Sequence, residues 1–452
     1  MILVASDCDQ SNRLDSVGRP GMTLVEMLVA TAVSLILVGL VVQLFGVVGG
    51  GVTASRSLLE STDQLRSASF RLRTDLSGIT AVPLPPARPE ADSGYLEIIE
   101  GPKTDASFAP AGILGDYDDV LMFTTRSQSG PFVGTFNGTQ SIESMTAEVA
   151  WFCKPAPEQL FSDLTPGVTL YNLYRKQMLV MGVVGSGSFS TLNSITGPTI
   201  PTVYNLYDLS LRPEGSTLYP NSLGDLTKRE NRFLHVLSSG SAASFPFSCL
   251  IGPTVSGIGP TGGSDIVFDA ESGRQGEDLI LSNVIAFDVR VYDPEAAMRL
   301  SSGGQVLTPG DRGYGAATAS SPTPKGAYID LGADIDVGVG KSGTSLGSAM
   351  AAKSRFTGAC TYDTWSTHYE FNGINEDALT ATGAANPDDL GTDTGSDGQD
   401  NNGNGLVDEL AEYDTLPPYS APLRGLEVRI RVYDPSSRQV RQFSVRHSFV
   451  PR

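Results

Sequence analysis

Between Glu26 and Arg56 the chain carries no charged side chain. The stretch "RPGMTLVEMLVATAVSLILVGLVVQLFGVV", residues 19–48, is apolar for most of its length, and about 20 such residues already cross a bilayer core as a helix. We therefore read residues 22–48 as a transmembrane helix. A secretory signal peptide has an apolar region of only about 7–15 residues, closed by a small-residue cleavage site. This run is longer, and its distinctive site lies before it. An ordinary single-pass anchor remains an alternative. Glu26 bears on the choice, because a carboxylate inside an apolar span costs on the order of 2.5–3.5 kcal/mol at the helix centre and less near an end. Such an acid asks for a cation. If the chain were cut after Gly21, the new amine on Met22 would lie one helical turn from Glu26, and a neighbouring copy could offer its own amine to that acid.

The residues Gly21-Met22-Thr23-Leu24-Val25-Glu26-Met27-Leu28 resemble the cleavage and methylation motif of type IV prepilins and type II secretion pseudopilins. The resemblance implies cleavage between Gly21 and Met22 by a prepilin peptidase, N-methylation of Met22, and Glu26 as the residue that guides assembly with other pilin-like subunits. Two departures stand out. Met22 occupies a position where the family most often has Phe, an apolar exchange that should be tolerated. The leader, residues 1–21, holds Asp7, Asp9 and Asp15 against Arg13 and Arg19, so we expect a true start codon later than Met1. Arg13 and Arg19 would stay cytoplasmic under the positive-inside tendency. That places a single-pass protein in the bacterial inner membrane with its head extracytoplasmic, in the periplasm or a surface filament.

A net charge of −19 and a pI near 4.5 argue against a nucleic-acid surface, since phosphate binding needs clustered Lys and Arg. Gly46 and Gly50 form a small-xxx-small pair that permits close helix approach, and 49–51 could equally be a flexible glycine break. Beyond it, Leu58, Leu65, Leu72 and Leu76, with Ser69, fall on one helical face. Glu60, Asp63, Arg66, Arg71, Arg73 and Asp75 are interspersed. The pattern predicts an amphipathic continuation over 49–80, packing on its own head and stopped by Gly78 and the "PLPPARP" run at 83–89.

The rest of the chain, residues 81–452, is rich in Gly (50) and Pro (28) and reads as a large β-rich head. The expected fold class is α+β, a long N-terminal helix followed by a pilin-like head. Alternating segments at 95–99, 120–124, 147–152, 169–174, 279–292, 326–331 and 426–433 predict strands. "FDVRVYDP" (287–294) echoes "IRVYDP" (430–435), and both read as edge or hairpin strands with Arg290 and Arg431 on polar outer faces. The end of the chain predicts a hairpin around residues 434–437. Its layout resembles the C-terminal region of larger minor pilins and J-type pseudopilins, and together with the chain length implies a minor subunit.

The loop "DTGSDGQDNNGNGLVDELAEYD", residues 393–414, is the candidate metal site. Calcium takes six to eight oxygens, and a glycine lets such a loop turn sharply. Asp400, Asn402, Asn404, Gly405 and Asp408 match the first nine positions of an EF-hand-like loop, with the Leu406 carbonyl at the seventh. The twelfth position is Ala411, so Glu409 and Asp397 would complete the set. The alternative is a solvated Asn/Asp/Gly turn. Catalytic patterns are absent. His235, His368 and His447 stand alone, and "GVGKS" at 338–342 has Ile335 where a phosphate loop needs its first glycine. We therefore expect no enzyme. Of Cys8, Cys153, Cys249 and Cys360, three survive removal of the leader, which permits at most one internal disulfide of undetermined pairing. The functional expectation is a minor pilin-like structural subunit of a pilus or secretion pseudopilus. Its rival is a membrane-anchored, Ca2+-dependent binding protein that never enters a filament.

Overall fold

The computed structural model describes residues 21–83, 91–100, 115–156, 170–180, 204, 206–214, 217–227, 231–233, 273–311, 313–319, 322–331, 360–364, 399–400, 403–407, 423–435 and 437–450. The chain divides into two units, Met1–Leu58 and Leu59–Arg452. One helix, α1 (Leu24–Ser77), contributes to both. In the first unit every described side chain of 21–49 is exposed. The 26 residues Leu24–Gly49 are long and apolar enough to cross a membrane. At about 1.5 Å per residue they extend about 39 Å, more than the roughly 30 Å of a bilayer core.

In the second unit the helix is amphipathic, as its spacing predicts. Leu65, Ala68, Leu72 and Leu76 are buried, while Glu60, Asp63, Arg66, Arg71 and Arg73 are exposed. Asp75, which the pattern placed among the surface charges, is buried. The helix ends at Ser77. Gly78 follows because the carbonyl of Arg126 lies where a Cβ would be, and Arg126 N–H donates to Gly78 O at 2.7 Å.

The strands are β1 (Leu96–Glu100), β2 (Val120–Arg126), β3 (Phe132–Phe136), β4 (Gln140–Ser144), β5 (Thr146–Pro155), β6 (Tyr171–Val180), β7 (Leu211–Glu214), β8 (Thr217–Pro220), β9 (Leu279–Ala297), β10 (Arg299–Leu300), β11 (Val306–Leu307), β12 (Thr318–Ala319), β13 (Lys325–Ile329), β14 (Cys360–Asp363), β15 (Gly425–Asp434) and β16 (Gln439–Ser448). Nine of them form one sheet in the order β14-β1-β2-β5-β6-β9-β15-β16, with β13 also paired to β9. All these pairings are antiparallel. An N-terminal apolar helix followed by a large antiparallel sheet is an α+β fold.

The sheet differs from its sequence reading in one respect. Antiparallel strands commonly leave one face to water, yet all five residues of β1 and the first six of β2 are buried. Trp151 of β5 is in register with Arg175 of β6, and both meet Asp75 of the helix, so α1 covers that face. Glu148 points to the opposite face, where segments around Ser210 and Arg232 cover it. The two echoing segments are neighbours inside the sheet: Val289 pairs with Val428 and Arg290 with Glu427. Arg290 is fully buried, so its side of the strand is not a polar outer face. The C-terminal hairpin turns where expected, between Asp434 and Gln439, with Ser437 Oγ donating to Asp434 Oδ2 at 2.8 Å.

Candidate functional site

Gly21, Met22 and Thr23 lie just ahead of α1, outside the helix and all exposed. Thr23 and Glu26 close the helix start reciprocally. Thr23 N–H donates to Glu26 Oε2 at 2.8 Å, and Glu26 N–H donates to Thr23 Oγ1 at 3.2 Å. This is a capping box, in which a Thr and a Glu three residues apart satisfy two backbone donors that the helix itself cannot. Thr23-x-x-Glu26 was readable as such, and reading Glu26 only as an acid awaiting a cation missed it. The cap uses one carboxylate oxygen. Among the described residues Glu26 Oε1 has no hydrogen-bond partner, which leaves a second acceptor at the start of an exposed apolar helix.

In the acidic loop, the residues Asp400, Asn404 and Leu406 are described; Asp397, Asn402, Asp408 and Glu409 lie outside the described residues. Asp400 organises its own turn. Its Oδ1 accepts from Gly403 and Asn404 N–H at 2.7 and 3.1 Å, and its Oδ2 accepts from Gly405 N–H at 2.7 Å. Asn404 Oδ1 accepts from Leu406 N–H at 2.8 Å. Gly403 and Gly405 sit at φ 77° and 91°, which favours glycine over residues with a Cβ. These are the contacts of an Asn/Asp turn held by its own backbone.

The head instead buries charge, and most of it is matched. Asp75 accepts from Arg175 Nε at 2.6 Å, from Arg175 Nη2 at 2.8 Å and from Trp151 Nε1 at 3.1 Å. On the other face, Arg232 donates to Glu97 at 2.9 Å and to the carbonyls of Leu226 and Thr227, and its guanidinium lies 4.1 Å from the centre of the Tyr95 ring. Burial pushes the Glu148 carboxyl up in pKa, while hydrogen bonds from Ser210, Tyr95 and the Phe233 N–H pull it down. Arg290 reaches Asp330 at 2.8 Å, Asp288 at 3.2 Å and Asp311 at 3.1 Å. His447, the one described histidine, lies edge-on to Phe449, and Cys153 is a free thiol.

One cluster stands apart. Residues 115–119 run beside β9, with Phe287 N–H donating to Asp116 O and Val289 N–H to Asp119 Oδ2, each at 2.7 Å. This brings Asp116, Asp118 and Asp119 to Glu100 at the end of β1 and Asp330 after β13. Carboxylate oxygens of Glu100, Asp116 and Asp330 lie within 4.8 Å of one another, as do those of Asp116, Asp118 and Asp119. All five residues are buried. Asp116 belongs to both groups, and neither of its carboxylate oxygens has a hydrogen-bond partner. Burial first, and then the neighbouring Asp119, Glu100, Asp288 and Asp330, hold its pKa well above the ordinary carboxylate value. Sequence reasoning missed this cluster because Glu100 and Asp330 are far apart in the chain, and "DYDD" alone reads as a turn.

No family model, curated protein or solved structure matches this chain.

Proposed function

We propose that the chain is a minor, pilin-like structural subunit, cut after Gly21 and built through its N-terminal helix into a type IV pilus or type II secretion pseudopilus. The observation that carries this reading is the first half of α1. It is an apolar helix long enough to cross a membrane, exposed along all of 21–49, and it opens on an acid with one carboxylate oxygen uncommitted. The motif at 21–28 supplies the processing chemistry. Cleavage frees an amine at Met22, and N-methylation leaves it cationic. In the membrane the Glu26 carboxylate keeps its Thr23 cap through Oε2 and accepts the amine of a neighbouring subunit through Oε1. Ion pairing at low dielectric is far stronger than in water, so register between adjacent helices follows from it. Apolar side chains from Leu24 to Val48 then pack against the same segment of other copies. The head is carried on the extracytoplasmic side.

The capping box dictates the test. Glu26→Gln keeps the amide oxygen that a capping box accepts at this position and removes the charge, whereas Glu26→Ala removes both. Both variants should be processed normally, as read by mass spectrometry of the mature N-terminus. Both should lose incorporation into filaments in the native host. Incorporation of Glu26→Gln at the wild-type level, together with failure of Glu26→Ala, would show that the residue works as a helix cap and would reject the ion pair. An intact leader would reject the processing step itself.

A further inference from the structure

We infer that the head holds a divalent cation, calcium by its donor set, on the buried carboxylates Glu100, Asp116, Asp118, Asp119 and Asp330. The inference concerns the head alone and does not depend on filament assembly. It also lies apart from the turn at Asp400.

Asp116 is the observation that demands a ligand. It is 1% exposed, and both of its side-chain oxygens are buried without a hydrogen-bond partner. A bare carboxylate out of water is among the costliest groups a protein can bury, and it is normally paired, metal-bound or neutralised. Among the described residues, Asp75, Glu97 and Asp208 are each met by an arginine at 2.6–2.9 Å, which Asp116 is not. Asp116 also sits where its oxygens are shared by two carboxylate triads, within 4.8 Å of the others in each.

The donor set, rather than the spacing, selects the ion. Calcium binds oxygen at about 2.3–2.6 Å and magnesium at about 2.0–2.1 Å. Two oxygens on opposite sides of one ion are therefore about 4.6–5.2 Å apart for calcium and about 4.0–4.2 Å for magnesium. Oxygens within 4.8 Å of one another admit either ion, but magnesium keeps several waters and is seldom held in an all-protein cage, whereas calcium takes six to eight oxygens, so five converging carboxylates favour calcium. The donors are all hard carboxylate oxygens, which suit calcium and not the softer transition metals.

Among the described residues no base pairs with Asp116. Arg290 is the nearby buried base, and its ion-pair contacts run to Asp288, Asp330 and Asp311, not to Asp116. The surrounding backbone is also fitted closely around one wall. Gly310 has φ 93°, and a Cβ there would collide with the Asp330 carboxylate. A cation would join the end of β1, the segment 115–119 and the residue after β13 at one point. Its role is to staple these parts of the head together.

The test uses the full chain in detergent micelles, stripped with chelator and then returned to calcium chloride or magnesium chloride. Bound metal is read by elemental mass spectrometry and stability by the thermal midpoint. Asp116→Asn removes the charge at nearly constant volume, and Asp400→Ala controls for the exposed turn. Wild type and Asp400→Ala should retain a cation that Asp116→Asn lacks, and calcium should raise their midpoints more than magnesium does. The variants should also cross over: without metal, Asp116→Asn is the more stable because a buried charge is gone, and with calcium the wild type is. If Asp116→Asn does not fold, Glu100→Gln on the opposite wall is read by the same two criteria. The inference is overturned if the wild type holds no ion and its midpoint ignores calcium. It is equally overturned if the ion persists when these carboxylates are neutralised. In either case Asp116 is held neutral by a proton.

Discussion

The two halves of one helix invert each other. From Leu24 to Gly49 α1 turns apolar side chains outward, with Leu24 81% and Phe45 72% exposed. From Leu65 to Leu76 it buries its leucines and also takes a carboxylate inside, Asp75 at 2% exposed. The second half finds every partner within its own chain, and the head returns an arginine and a tryptophan for the buried acid. The first half has no such complement among the described residues. Burial of apolar surface is worth roughly 25 cal/mol per Å², so an exposed apolar segment of this length calls for a covering that the described residues do not supply. What distinguishes the halves is therefore where their complement lies. The same contrast recurs inside the head, where Asp75, Glu97 and Asp208 are met by arginines and Asp116 is met by none.

The largest effect expected from breaking this comparison is at Asp75. Asp75→Ala leaves the Arg175 guanidinium, 4% exposed, buried without its carboxylate. Removing one partner of a buried pair costs about 3–5 kcal/mol, and chemical denaturation of the full chain in detergent should show a loss of that size. A loss below about 1 kcal/mol would mean that Arg175 has another acceptor and that the second half of α1 is less tightly complemented than its geometry indicates.

A paired substitution sharpens the contrast further. Leu72→Ala deletes a fully buried side chain and should destabilise the head by about 2–5 kcal/mol, the usual range for such a truncation. Leu44→Ala, the same chemical change on the 62%-exposed side of the comparison, should leave head unfolding unchanged. Equal losses at both positions would show that the first half of the helix is packed within the chain after all.

Much of this frame was legible in the sequence. Leu65, Leu72 and Leu76 at helical spacing, followed by Gly78, predict the buried face and the end of α1. The alternating segments at 95–99, 120–124, 147–152, 279–292 and 426–433 overlap strands of the main sheet. The Asn137-Gly138 turn of the β3–β4 hairpin, with φ 53° and 68°, carried a turn signal that was available and passed over. The burial of charge was not legible. Period-two alternation says that Glu148 and Val149 face opposite ways, but not that a later segment of chain roofs the Glu148 side. Sequence likewise marks Arg290 as polar without revealing Asp311 and Asp330, which approach it from other segments beside Asp288 of its own strand. Such partners are set by pairing across long separations, and Leu331 N–H donating to Glu100 Oε2 joins residues 231 positions apart. The site at Asp116 is invisible for the same reason.

The smallest expected effect tests the loosest of the buried ion pairs. Lys176 lies 3.9 Å from Asp278, both nearly fully buried. Burial lowers its pKa to about 8, against the opposing pull of Asp278, Asp208 and Glu277, with Arg274 adding to the depression. An amine whose folded pKa lies below its unfolded value of 10.5 binds fewer protons folded than unfolded between the two. Stability must therefore rise with pH from about 8 upward, by at most about 1.4 kcal/mol per pH unit. The rise should flatten from about pH 9, where the unfolded Cys153 thiol, with an ordinary value of 9.0, begins to lose the proton that burial makes the folded thiol keep. Tyr95 and Tyr204 have pKa values raised by burial, so above their ordinary value of 10.0 the unfolded chain loses protons that the folded chain keeps, and stability falls. Denaturation midpoints between pH 7.5 and 10 in wild type and Lys176→Met measure the difference directly. The variant should lose the rise. If both curves are flat, Lys176 stays charged in the fold, and Asp278 complements it as fully as Arg175 complements Asp75.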